Sequence, residues 1–150
     1  MGKFLLKTQM SFEAAHRLYG VDTYSEECRN NIHGHSYKVN VYVTCDNLND
    51  ASMVVDFKLL KLILKSVVED TFDHSCILVN TDPLCEAIEA NCKKVHIVDN
   101  NPTAEWMAEH FFKCSNSALE KSFSPNVYNV RVCKVEVQET ENNIAIYEEG

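Results

Sequence analysis

The chain reads as an α+β domain in which a four-stranded antiparallel sheet carries two helices packed on one face. Three observations lead there. Residues 33–45 alternate strictly, with His33, His35, Tyr37, Val39, Val41, Val43 and Cys45 on one side and Ser36, Lys38, Asn40, Tyr42 and Thr44 on the other, the period of a half-buried strand. Phe57, Leu60, Leu64 and Val67 recur at the 3.6-residue period of an amphipathic helix. Residues 128–139 return to valine-rich, strand-like sequence after a second helical stretch. The 150 residues suit a single domain, 1–150, and are too few for two.

Phe4, Leu6 and Phe12 among polar neighbours predict a first strand over residues 3–13. Residues 18–32 are polar and aperiodic and read as a loop. The alternating strand follows, then a turn over 46–52. Asp56 is placed to cap the first helix, FKLLKLILKSVVED. Residues 73–102 hold two prolines and read as a long connection, with room for one short helix and a short strand at VHIV. Thr103 opens the second helix, which runs to Leu119; Pro102 precedes the cap, and Glu105 suits the positive helix end. In YNVRVCKVEVQE, Tyr128, Val130 and Val132 share one face, while Cys133, Val135 and Val137 take the opposite parity. That slip predicts a bulge or a strand apolar on both faces. ENN is a tight turn and IAIY a last strand. Two helices leave the second sheet face, which still carries apolar residues, uncovered, and this predicts an oligomer.

Composition narrows the function. Fourteen basic against 22 acidic residues give a formal charge of -8, and the longest basic cluster is Lys93-Lys94. A sequence-independent nucleic-acid binder needs clustered positive charge, so nucleic acid is not an expected partner. No apolar run approaches the ~20 residues of a membrane helix, so no membrane partner is expected. Seven cysteines, an odd number without CxxC, and a start (MGKFLLKT) without a signal-peptide pattern predict free thiols and a cytoplasmic location.

His33 and His35 flank a glycine at the head of the alternating strand. Residues i and i+2 point to the same side, so the two imidazoles can share a metal. His16 joins them if the first two strands form a hairpin. Three histidines and a water are a catalytic zinc pattern, although copper or iron takes the same ligands and HxH also occurs on plain strand edges. Asp73-His74 can pair a carboxylate with an imidazole, or simply end a helix. Glu26, Glu27 and Cys28 offer a base and a nucleophile, or a solvated loop. Glu105 and Glu139 suit a guanidine-like ligand edge, or the surface.

Five stretches, SFEAAHRLYG, NIHGHSYKVNVYV, FDHSCIL, NPTAEWMA and VQETENNIAIY, together resemble the 6-pyruvoyl-tetrahydropterin synthase family across nearly the whole chain. The resemblance implies a tunnelling fold, in which subunits join their sheets into an oligomeric β-barrel, and a homohexamer built as a dimer of trimers with sites between subunits. It implies Zn2+ on His16, His33 and His35, an Asp73-His74 pair working beside a catalytic thiol, Glu139 gripping the pterin edge, and Thr103 and Glu105 near the pterin pocket. The family's thiol stands six residues before the first histidine of HGH; Glu27 occupies that position here, and Cys28 is displaced from it by one. Queuosine-pathway relatives place it four before, where this chain has Arg29. The loop EECRNNIHGH resembles a glutamate-bearing subclass found in malaria parasites. That likeness implies zinc-dependent conversion of 7,8-dihydroneopterin triphosphate to 6-hydroxymethyl-7,8-dihydropterin for folate synthesis, with Glu27 as base and Asp73-His74 as relay. The alternatives are 6-pyruvoyl- or 6-carboxy-tetrahydropterin formation, the former leading to tetrahydrobiopterin, or a non-catalytic pterin-binding module.

Overall fold

The computed structural model describes residues 2–150. Its centre is the antiparallel pair β1 (Leu6–His16) and β2 (His33–Thr44), in register from Leu6 opposite Val43 to His16 opposite His33. β5 (Arg131–Thr140) continues the sheet antiparallel beside β2, and β6 (Asn143–Glu148) beside β5. On the other side β3 (Ser75–Val79) and β4 (Val95–Val98) add in parallel, giving the order β4-β3-β1-β2-β5-β6.

This corrects the predicted four-stranded antiparallel sheet: six strands form a mixed sheet. Both added strands lie in the stretch read as a connection; β4 is the VHIV segment given room there for a short strand, and β3 was missed. They are only five and four residues long, and Ile77, Leu78 and Val79 are buried in succession. A short parallel strand with a continuous apolar run has no period to detect. The predicted oligomeric β-barrel is corrected too. The sheet of this chain is not closed into a barrel: β4 and β6 lie at its opposite edges and do not pair. The slip in β5 is a bulge: Lys134 pairs with Tyr42 and Val132 with Val43, so Cys133 is the extra residue. Val132 and Val135, of opposite parity, are therefore both buried.

Among the described residues five helices, in place of the two predicted, complete the fold: α1 (Glu26–Asn30), α2 (Phe57–Val67), α3 (Glu69–Phe72), α4 (Cys85–Asn91) and α5 (Ala104–Ser122). α2 starts where Asp56 accepts hydrogen bonds from the backbone N–H groups of Lys58 and Leu59. α5 starts where Thr103 accepts from the Trp106 N–H. Each cap satisfies N–H groups that lack an intrahelical partner. α5 buries Met107, Ala108, Phe111 and Leu119 against the sheet. Phe12 stacks on Tyr37 at 4.8 Å between ring centroids and meets Phe111 edge-on at 5.8 Å. The core thus lies on one face of the sheet. The opposite face differs from the apolar one expected. It carries Lys7, Gln9, Ser11, Glu13, Ser36 and Lys38, all exposed, with Ile144 and Ile146 as apolar exceptions at its β6 edge. Among the described residues no helix is long and apolar enough to cross a membrane.

Candidate active site

Strand register builds the histidine cluster. His16 ends β1 opposite His33, which begins β2, and His35 lies opposite Ala14. All three rings turn to the helix-covered side, where their ligand nitrogens fall within 4.8 Å of one another. His16 is 2% exposed. Its Nδ1 lies 2.7 Å from the Pro102 carbonyl. A carbonyl only accepts, so Nδ1 carries the proton and Nε2 presents a lone pair. The Asn31 carbonyl fixes His33 in the same way, at 2.9 Å from Nδ1. These backbone acceptors orient the rings as outer partners do in metal sites.

Glu139 closes the cluster. Its Oε1 is 3.4 Å from His16 Nε2 and 3.7 Å from His35 Nε2. A lone pair facing a carboxylate is unfavourable until a cation or proton stands between them. His35 Nε2 is buried without a hydrogen-bond partner. Three imidazoles, one with an orphaned nitrogen, beside a carboxylate match the donor set of a divalent metal. Burial lowers the His16 pKa to about 4, with His33 and His35 adding to the shift against the hydrogen bond to Pro102. Desolvation also lowers that of His35, against the pull of Glu139. Neutral imidazoles are the form that binds metal. Burial, followed by the nearby Glu139 charge, pushes the Tyr37 hydroxyl pKa up. That hydroxyl lies 3.4 Å from His16 Nδ1.

Glu139 also lines a groove of about 400 Å³ with Ala104, Glu105, Asn142, Asn143, Ile144 and Ala145. The register between β5 and β6 shifts between Gln138 and Thr140, and such irregularities re-aim side chains beside sites. The structure therefore brings together His16, His33, His35, Glu139 and Glu105. Thr103 is adjacent to them, with its hydroxyl oxygen engaged as the α5 cap.

Two predicted catalytic groups make no hydrogen bond or ion pair with the triad among the described residues. Glu27 is on α1, exposed, and accepts a hydrogen bond from the Ser25 hydroxyl at 2.6 Å, which holds its pKa below the usual carboxylate range. Asp73 and His74 do form a pair, Oδ2 to Nδ1, at 3.0 Å. The Glu13 N–H donates to Asp73 Oδ1 at 2.8 Å. This bond first, and His74 second, hold the Asp73 pKa low. His74 has φ 62°, a left-handed conformation, and lines a groove of about 370 Å³ with Glu13, Ala15, Gly34, His35 and Ser36. Sequence reading missed the Pro102 carbonyl, Tyr37 and Asn142–Asn143. NPTAEW and the alternating strand contained the first two, but nothing in their spacing marks a backbone acceptor.

The profile of the family described as 6-pyruvoyl tetrahydropterin synthase matches residues 5–150. A Rickettsia bellii protein named 6-carboxy-5,6,7,8-tetrahydropterin synthase is 34% identical over 129 residues, 85% of this chain and 88% of its own. An Aquifex aeolicus protein of the same name is 32% identical, covering 98% of this chain and 99% of its own. The Caenorhabditis elegans 6-pyruvoyl tetrahydropterin synthase structure superposes with a TM-score of 0.69 at 26% identity, over 100% of this chain and 98% of that one. The Plasmodium falciparum 6-pyruvoyl tetrahydropterin synthase structure gives 0.70 at 19% identity, over 98% of each chain, a likeness of fold alone.

These findings correct the expected product. The hydroxymethyl reading, with its folate assignment, rested on one loop position, Glu27. Similarity along the chain lies instead with proteins named for a 6-carboxy product, which also displaces the tetrahydrobiopterin assignment. One exposed residue on a five-residue helix specifies little against similarity that runs along most of the chain. From the profile match and these relatives together, the chain belongs to the 6-pyruvoyl tetrahydropterin synthase family.

Proposed function

We propose that the chain is a cytoplasmic 6-carboxy-5,6,7,8-tetrahydropterin synthase, a single domain acting on 7,8-dihydroneopterin triphosphate beside a metal held by His16, His33 and His35. The supporting observation is that the triad opens through Glu139 onto a groove that also holds Glu105, in a chain whose relatives of that name span most of its length. Zinc best suits three imidazole nitrogens, and when bound it supplies Lewis-acid polarisation of substrate oxygens.

The chain's own residues supply the rest. Glu139 and Glu105 accept hydrogen bonds from the N–H groups of the pterin's aminopyrimidine edge, charge-assisted bonds that fix the ring. Glu27 takes a proton from the substrate side chain as triphosphate leaves, and His74, oriented by Asp73, returns a proton to carbon. One water adds, the bond between the first and second side-chain carbons breaks, the first stays on the ring as the carboxylate, and the other two leave as acetaldehyde. Because no hydrogen bond or ion pair among the described residues links Asp73-His74 to its own triad, a second copy within a homohexamer, a dimer of trimers, brings this pair to the site.

The test is chemical identification of the products after zinc-loaded protein is incubated with 7,8-dihydroneopterin triphosphate. Formation of 6-carboxytetrahydropterin is expected. A 6-pyruvoyl product would overturn the branch, and retained zinc and substrate without turnover would mark a binding module. Glu27→Gln is expected to slow turnover by about 10²-fold or more. Normal turnover in Glu27→Gln, with loss in Cys28→Ala, would transfer the role to the thiol.

A further inference from the structure

The loop between β1 and β2 is fastened at its base by an ion pair that the chemistry above does not use. Arg17 follows His16 directly. Its Nε donates to Asp82 Oδ2 at 2.7 Å and its Nη2 to Asp82 Oδ1 at 2.6 Å, a bidentate fork. The third arm, Nη1, donates to the Asn30 carbonyl at 3.1 Å. Asp82 Oδ1 also accepts the Leu84 N–H at 2.8 Å. The Asp82 side chain is 0% exposed and that of Arg17 11%. Desolvating both charges offsets much of their attraction, so such a pair is weak evidence of stability as such. What a planar fork does supply is a fixed direction.

That direction is used on the loop. Asn30 is the last residue of α1, three after Glu27 and three before His33. Two further ties close the same segment. The Leu18 N–H donates to the Cys28 carbonyl at 3.0 Å. Asn101 accepts from the Tyr19 N–H at 2.8 Å and donates to the Tyr19 carbonyl at 3.0 Å. Asn101 precedes Pro102, whose carbonyl holds His16. A polar, aperiodic loop is thus tied at both ends to groups that also set the triad.

We propose that Arg17 and Asp82 are positioning residues: their ion pair fixes where α1 carries Glu27 and Cys28 relative to the triad, without touching substrate or metal. The inference rests on the reading of this loop as the carrier of the catalytic base. Arg17→Lys keeps the charge and removes the fork; Asp82→Asn keeps the shape and removes the charge. Both variants, loaded with zinc, are compared with the wild type in metal content, amide exchange and steady-state kinetics. Bound zinc is expected to be unchanged. Exchange over residues 26–31 is expected to rise about tenfold while the β1–β2 ladder stays protected. kcat is expected to fall about tenfold or more, with KM shifted by less than about threefold.

Unchanged exchange in both variants would show that the pair does not hold the loop and would overturn the proposal. So would faster exchange with full kcat. Loss of zinc or of folded structure in both variants would assign the pair to β1 or to the fold, against the proposal. A wild-type protein inactive on the triphosphate would count against the function proposed above. Even then, faster exchange in the variants would uphold the tie to α1, and unchanged exchange would overturn it.

Discussion

Acidifying the metal-free protein should unfold it partly through one side chain, His16. Its burial, at 2% exposure, holds the folded-state pKa at about 4 in place of 6.5; the unfolded chain regains the ordinary value. Above pH 6.5 the imidazole is neutral in both states, and the stability of its buried neutral form is fully present. As the pH falls from 6.5 to about 4, the unfolded chain binds a proton that the folded one refuses. Stability then declines by about 1.4 kcal/mol per pH unit from this group. The accumulated loss is about 3 kcal/mol, a large part of the ~5–15 kcal/mol available to a domain. Below about pH 4 both states are protonated and the loss stops growing. His35, lowered in the same direction, adds to the slope. Urea unfolding of chelator-treated protein at several pH values measures it. Carboxylates contribute to acid unfolding as well, so the decisive comparison is with His16→Asn, whose stability should depend less steeply on pH in this window. Equal slopes for the two proteins would refute the reasoning.

Zinc at about a hundred times its Kd should raise unfolding stability by about 2.7 kcal/mol, and His35→Ala should abolish most of that gain in a thermal melt. Phe12→Ala removes a ring stacked on Tyr37, tilted against Phe72 and edge-on to Phe111; a loss of about 3–5 kcal/mol is expected in urea. Asp56→Ala deletes the two N-cap hydrogen bonds of α2 and should cost about 1 kcal/mol without altering bound zinc. Glu139→Gln removes the carboxylate that faces both His16 and the groove, and pterin binding should weaken by about tenfold or more in a fluorescence titration.

The parts of the fold that the sequence made legible are those with one wet face and one dry face. β2 alternates because the core covers only one of its sides, and α2 shows its period for the same reason. β3 lacks that contrast, because Ile77 through Val79 are buried in succession, and five residues are too few for a period. α1 left no trace either: it has five residues and none is buried. In the site, HGH declares that His33 and His35 share a side. His16 joins them only through the antiparallel register with β2. Glu139 needed two register irregularities to arrive, and only one of them shows as a parity change. Asp82 is 65 residues from Arg17, and no local pattern announces such a partner. Glu27 was legible as a position in a motif. It misled about the product because one position on a solvent-exposed turn of helix carries less than similarity along most of the chain.

The extra residue Cys133 has a consequence for which length changes this chain can accept. Measured from Val132, a regular ladder would turn Lys134, Glu136 and Gln138 toward the histidines; the bulge resets the phase, so Val135, Val137 and Glu139 face them instead. Deleting Cys133 would leave Val132, Val135, Val137 and Glu139 evenly spaced on one side of an uninterrupted strand. Deleting one residue between Val135 and Glu139 would instead carry Thr140, a neutral hydroxyl, into the place of Glu139 beside the histidines. The same single-residue loss is thus nearly silent at one end of β5 and disabling a few positions later.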